Sequence, residues 1–227
     1  MDAPTLRVAT WNLQARDPAA VGIAELLATD APDVLLFQEA RTDLLDRFEG
    51  LMGHPHRVLR PDAGSRPGQA IFSRVPIEAT GQVDPPAGRP RLVWARLAVP
   101  ATSGIVVASF HSPVPFGRTL TDNPWRRFRH LRSIAAFATD LARDGVPTVL
   151  GGDANALRYA IDGYTDAAHD RSWRPVGGLP WLPPVARIDR IFVGPGLRVT
   201  SAGTRCRISR SDHCPVVVTV EPAARGV

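Results

Sequence analysis

The chain contains no lysine. All 27 basic residues are arginine, set against 22 acidic ones, and the formal net charge is +5. A guanidinium group stays charged at any working pH and grips phosphate through paired hydrogen bonds, so this composition suits a polyanionic partner. A solvated basic face carries the same charge, and GC-rich coding also enriches arginine alongside alanine and proline, so charge alone names no partner. Cysteine is almost as scarce, with only Cys206 and Cys214 present. Two are too few for a disulfide scaffold and neither lies in a CxxC metal pattern, so reduced, packed thiols are the expectation. No apolar run reaches the roughly 18 residues of a membrane span. The opening "MDAPTLRVATW" enters a strand-like run too soon to hold a signal peptide, and a cytoplasmic protein without a transmembrane segment is expected. Internal repeats and low-complexity linkers are missing as well. With 227 residues, 44% of them hydrophobic, the expectation is one domain over 1–227, its core about 6–220, acting as a monomer.

What is present is a series of short runs rich in valine, isoleucine and leucine. Strands are expected at 6–13, 33–39, 69–74, 92–99, 104–111, 147–152, 187–193 and 214–220. Helices are expected at 17–29, opened by Asp17 as cap and Pro18 in the first turn, at 41–52, and at 124–143. In the last of these Phe128, Leu131, Ile134, Ala135, Ala138 and Leu141 recur at helical spacing and leave the arginines opposite. Near-continuous apolar strands have both faces covered. Two sheets packed face to face with helices outside satisfy that pattern, an α/β four-layer α-β-β-α sandwich. Residues 158–186, with "GGLPWLPP", read as a long surface loop.

The segment "TVLGGDANAL" (148–157) ends an apolar run in two glycines and then sets Asp153 and Asn155 two positions apart. A buried carboxylate needs a polar partner. The same thing happens at other strand ends: Asn12 after Trp11, Glu39 after Gln38, His111 after Phe110, Asp189 within "RIDRIFV", and Asp212-His213 after Ser211. Any one of these could be a cap or a satisfied core group. Together they are most simply explained by strand ends converging on one cleft. Glu39 with Asn12 and Asp212 offers hard oxygen ligands and no thiolate, which suits Mg²⁺ or Mn²⁺. Asp153 and Asn155 share a face if the strand period of two persists. His111 and His213 can exchange a proton near neutral pH. These are the parts for metal-assisted phosphodiester hydrolysis.

In order, "ATWNL", "FQEA", "FHSP", "GGDAN", "RIDRIFV" and "RSDHCPVVV" resemble the motif set of the endonuclease/exonuclease/phosphatase superfamily over about residues 6–220. Several pieces are most similar to pancreatic-type deoxyribonucleases, and "VATWNLQ" with "QEA" to the nuclease subunit of cytolethal distending toxins. The resemblance implies the same four-layer sandwich and assigns roles by position. Glu39 is the main metal ligand, Asn12 holds metal and phosphate, and Asp212 approaches the metal. Asp153 orients or deprotonates the attacking water, and Asn155 donates to the phosphoryl oxygens. His213 contacts the scissile phosphate with its ring held by Asp189, while His111 is general acid or second phosphate contact. Which histidine does what, and whether one metal or two act, stays open.

Two departures from that pattern carry expectations. The resemblance implies a large aromatic where Ala154 stands; its side chain is expected to point into the sandwich, the gap filled by a phenylalanine. The carboxylate implied as the partner of His111 is replaced, at the nearest polar position, by Gln69. A core shared across the superfamily names no substrate. DNA is the first expectation. Arg41 stands where a groove-inserted arginine would read DNA, or is a solvated residue at a helix start. Trp173 and Trp181 could stack on bases, touch lipid, or cover the sheet. A lipid headgroup or small phosphoester is the alternative, and a catalytically dead binding module is the weakest reading because no core position is missing. His54, His56, His130 and His169 are expected on the surface or on helices.

Overall fold

Branched aliphatic residues fill the strands because a pleated, doubly covered surface suits them. The computed structural model describes residues 5–15, 19–43, 45–46, 50, 53–62, 66–83, 92–100, 102–114, 124–175, 181–208 and 211–223. In chain order it runs β1 (Leu6–Asn12), α1 (Ala19–Asp30), β2 (Val34–Ala40), β3 (His56–Asp62), β4 (Arg66–Ser73), β5 (Ile77–Val83), β6 (Leu92–Leu97), β7 (Ile105–His111), α2 (Pro124–Arg143), β8 (Thr148–Asp153), β9 (Thr165–Asp166), β10 (Asp189–Val193), β11 (Leu197–Thr204) and β12 (Val216–Pro222). Helical turns also occupy parts of 42–50. The expected cap at Asp17-Pro18 lies outside the described residues.

The strands form two six-stranded sheets, ordered β11-β12-β1-β2-β4-β3 and β5-β6-β7-β8-β10-β9. Val8, Leu36, Ile71 and Val218 of the first meet Val93, Val107, Val149 and Ile191 of the second in a shared apolar core. On the outer face of the first sheet, Ile23 and Leu26 of α1 pack on Leu35, Phe37 and Phe72. Ile134 and Ala138 of α2 cover Ala108, Phe110, Leu150 and Phe192 on the second. The α-β-β-α sandwich is therefore present.

Every strand missing from the sequence expectation, β3, β5, β9 and β11, lies at the edge of a sheet. An edge strand is paired on one side only and tolerates polar residues, so β5 is mostly exposed and carries no apolar run. The long loop also proves less featureless than expected. It holds β9, and Trp173 forms bridges to both Ala186 and His213. Within α2 the expected apolar face holds at Leu131, Ile134, Ala135, Ala138 and Leu141 but not at Phe128, which is 50% exposed, edge-on to an exposed Trp125 and under the Arg132 guanidinium, while His130 is buried. His54 is buried too, its Nε2 2.9 Å from the Pro32 carbonyl. Of the four histidines expected on the surface or on helices, His130 does lie on α2, His169 is exposed and His56 is half-buried.

The cysteines correct a further expectation. Cys206 and Cys214 form a disulfide. Strands β11 and β12 pair antiparallel with Thr204 opposite Val216, and continuing that register sets residue 206 opposite 214. The Arg205 amide donates to the Pro215 carbonyl, which carries the pairing to that point. The bridge closes the loop that holds Ser211, Asp212 and His213.

Candidate active site

Topology brings the polar strand ends together. Strands β1 and β2 run parallel, as do β7 and β8, so each pair finishes at one rim. The antiparallel partners β12 and β10 begin at that rim, with Asp189 directly opposite Asp153. Asn12, Glu39, His111, Asp153, Asp189 and His213 therefore converge, although they span most of the chain.

The Asn12 amide donates to Glu39 Oε1 and to Asp153 Oδ2, both at 3.2 Å. His111 Nε2 lies 3.6 Å from Glu39 Oε1 and 3.7 Å from Asp153 Oδ2. His213 Nδ1 sits 2.9 and 3.0 Å from the two oxygens of Asp189, so Nδ1–H donates there and Nε2 faces the cleft. That Nε2 is 3.8 Å from Asp153 Oδ2 and 3.6 Å from Asp212 Oδ1. The Trp11 indole holds the His213 carbonyl at 3.0 Å, and Ser211 Oγ joins the Asn12 carbonyl to the His213 amide.

Asp153 and Asn155 meet by a turn, not by strand periodicity. The strand stops at Asp153, and Asn155 takes a left-handed φ of 47°. The Asn155 amide N–H donates to Asp153 Oδ1 at 2.8 Å, and its side chain donates to Asp153 Oδ2 at 3.0 Å and to the Ser112 carbonyl at 2.8 Å. The preceding glycines permit this approach. A Cβ on Gly152 would stand 1.9 Å from the Phe110 carbonyl oxygen, and one on Gly151 would stand 2.9 Å from Thr10 Cβ of the other sheet. Glu39 also has a positive φ, 47°, in a bulge where the β2–β4 ladder shifts register. Bulges re-aim side chains, and this one directs Glu39 to the rim.

Burial drives the Asp153 carboxyl up to about 7, against the opposing charge of His213 and with that of Asp189 in support. Burial alone would push His213 down, but the charges of Asp189 and Asp153 outweigh it and raise the imidazole to about 10.

A cavity of about 790 Å³ opens over this cluster. Its lining includes Glu39, Asp153, Asn155, Asp212 and His213, together with Val114, Leu157, Ile188 and Trp173 and with Arg127 and Arg158. Asp153, Asp189 and His213 offer ligand atoms within 4.8 Å of one another, but Asp189 is already engaged with His213 Nδ1. Glu39, its side chain 36% exposed, faces solvent and can receive a hard cation beside the Asn12 amide.

Several expected residues stand elsewhere. Asp212 lies on the His213 side, accepting from the Trp173 indole at 3.2 Å, and reaches Asn12 through Gln14. The Arg41 guanidinium is bonded to Asp43. Gln69 is buried with Oε1 lacking a hydrogen-bond partner, and does not orient His111. Ala154 packs in the layer beneath α2, not between the sheets; Phe110, Phe192 and Tyr159 fill the space around it. Gln14, which lines the cavity with a left-handed φ of 51°, was not foreseen; Arg127, which donates to the Asn155 carbonyl at 2.8 Å, belongs to the arginine-rich run "WRRFRHLR" at the start of α2. Gln14 had a signal in its position two residues past Asn12. For Arg127 the run of arginines was the signal, and only the packing of α2 decides which of them reaches the site.

Two sheets with acidic and imidazole groups at one rim define a phosphoester hydrolase fold. The chain belongs to the endonuclease/exonuclease/phosphatase family, whose model matches residues 9–213. Among solved structures it is similar to an endonuclease/exonuclease/phosphatase from Beutenbergia cavernae DSM 12333, with TM-score 0.72 and 21% identity, covering 97% of this chain and 72% of that one. It is also similar to a family protein from Bacteroides thetaiotaomicron, with TM-score 0.73 and 19% identity over 99% of this chain and 100% of that one. D. rerio TDP2 complexed with single strand DNA product gives TM-score 0.75 and 17% identity over 96% of this chain and 99% of that one. No curated protein matches the chain by sequence. Among the described residues no helix is long and apolar enough to cross a membrane.

Proposed function

We propose that this protein is a divalent-metal-dependent phosphodiesterase acting on nucleic acid, with DNA as substrate. The carrying observation is the meeting of Glu39, Asn12 and Asp153 with the His213–Asp189 pair at the floor of one cavity. Glu39 with Asn12 would hold Mg²⁺ or Mn²⁺, which supplies Lewis-acid polarisation of a phosphoryl oxygen. Asp153, fixed by Asn12 and Asn155, takes the proton of the attacking water; a carboxyl raised to about 7 is well matched to that task. His213, kept protonated by Asp189, donates Nε2–H to a non-bridging oxygen as charge builds there. The water oxygen bonds to phosphorus, the ester P–O bond breaks, and a protonated His111 would give its proton to the departing oxygen. Asn155 acts chiefly on Asp153, since both of its amide protons are already directed to oxygens of the protein.

Nucleic acid is supported by the composition of the cavity. Arg127 and Arg158 line it and neither forms an ion pair among the described residues, so both can meet a flanking phosphate. Trp173 and Leu157 offer an unstacked base an apolar face. The D. rerio TDP2 complex with single strand DNA product is in keeping with this choice. A lipid or small phosphoester is the second reading, favoured by Leu157 and Val114 standing 71% and 44% exposed at the cavity.

The test is incubation with single-stranded and plasmid DNA, RNA, sphingomyelin and p-nitrophenyl phosphoesters, each with Mg²⁺, Mn²⁺ or EDTA, beside a His213→Ala control. DNA cleavage that needs metal and His213 is expected. Cleavage persisting in EDTA or in the control defeats the mechanism, and turnover confined to sphingomyelin or small esters defeats the substrate.

A further inference from the structure

The apolar space between the sheets is interrupted at one level by a polar cluster. Thr10, Gln38 and Ser109 are all fully buried. Gln38 Nε2 lies 2.9 Å from Ser109 Oγ, 3.0 Å from Thr10 Oγ1 and 3.0 Å from the Leu36 carbonyl. Ser109 belongs to β7 in one sheet, whereas Thr10 and Gln38 belong to β1 and β2 in the other. The link therefore crosses the sandwich. A second bond crosses with it, from the Ser109 hydroxyl to the Phe37 carbonyl at 3.0 Å.

Its position is telling. Phe37 is the last residue before the β2–β4 ladder slips, and Glu39 follows in its left-handed conformation. Beside Ser109 in register stands Gly151, where a Cβ would press on Leu36 and Thr10 of the other sheet. The sheets approach each other closely here, and the next buried polar contact between them, from Asn12 to Asp153, is at the rim itself. Buried polar groups cost stability unless every partner is in place, so such a cluster defines one relative arrangement where an apolar contact would tolerate sliding.

We propose that Gln38, with Ser109, is a positioning residue that locks the two sheets in register at the rim and holds the bulge that aims Glu39 toward Asp153. Gln38 touches no substrate. It acts through Glu39 and Asn12 on one sheet and through His111 and Asp153 on the other. As far as catalysis is concerned, this rests on the phosphodiesterase reading above, but the joint itself does not.

The experiment compares Gln38→Leu and the milder Ser109→Ala with Val8→Ala, a change in the same inter-sheet core away from the joint. Amide hydrogen exchange and steady-state kinetics are measured on each. In both joint variants exchange across 36–40 and 107–112 is expected to rise about tenfold while the far ends of the strands keep their protection. Gln38→Leu is expected to lower kcat about tenfold or more with KM nearly unchanged, because misplacing catalytic groups by about an ångström is that costly. Val8→Ala, at comparable loss of urea stability, keeps kcat. Equal kcat losses in Val8→Ala and Gln38→Leu, or exchange that rises uniformly, overturn the proposal; Ser109→Ala decides it by the same measures if Gln38→Leu does not fold. Should the wild type cleave no phosphodiester, the functional reading fails, and the exchange pattern alone judges the joint.

Discussion

Replacing Asp153 with asparagine tests whether a carboxylate is held in this cleft against its own preference. Asp153 is 1% exposed, and burial lifts its carboxyl from 3.8 to about 7. At about 1.4 kcal/mol per unit, the ionised form costs the fold about 4 kcal/mol once fully charged. Asparagine removes that cost but forfeits part of the bonding from Asn12 and Asn155 and the attraction to His213, so the net change at one pH is small. The pH dependence isolates the effect. Because the folded value lies above the unfolded one, the folded wild type binds the extra proton, and stability drains away as pH rises between 3.8 and about 7. Linkage gives a loss of about 2 kcal/mol between about pH 4.5 and about pH 6, a window below the unfolded value for histidine in which His213 contributes little slope. Asp153→Asn should lack this loss. Urea unfolding of both proteins in EDTA across the window measures it, and parallel stability curves would refute the account of a strained carboxylate. The same variant is expected to lose nearly all hydrolysis.

Other outcomes follow from single contacts. Asp189→Asn removes the charge that counts most against the burial of His213, so the alkaline limb of kcat/KM should move to lower pH; an unmoved limb would show that His213 is not the group titrating there. The stability that His213 contributes is present below 6.5 and lost as pH rises through about 10 in the wild type, and in the variant that decline should begin earlier. Replacing Cys206 and Cys214 with alanine should cost roughly 2–3 kcal/mol in urea and lower activity through the loop bearing Asp212 and His213, with a dithiol reductant reproducing the effect in the wild type only. Arg158→Ala should flatten the logarithmic salt dependence of single-stranded DNA binding by about 0.7, the loss of one phosphate contact, as read by fluorescence anisotropy. An unchanged slope would remove Arg158 from the nucleic-acid surface.

The central strands and α2 were legible because burial on both faces, or on one helical stripe, writes itself into apolar periodicity; α2 spans 124–143 as expected. Edge strands were not, since β3, β5, β9 and β11 owe their existence to a neighbour and carry little pattern of their own. The polar residues of the site could be read for a related reason: each interrupts an otherwise apolar run at its end, and a buried charge there demands a partner. Which partner it meets lay beyond local reading. Gln69 was a sensible companion for His111 by strand position, yet among the described residues Glu39 and Asp153 approach its Nε2. Cys206 and Cys214 looked like separate thiols until β11 turned back along β12 and set them face to face. Composition and periodicity by themselves determined the layers, the central strands and the identity of the groups at the rim, because those depend on each segment's own need for burial. Only tertiary structure decided the register between the sheets, the disulfide, the buried histidines and the arginines of the cavity wall, because a contact between distant segments is a property of the pair.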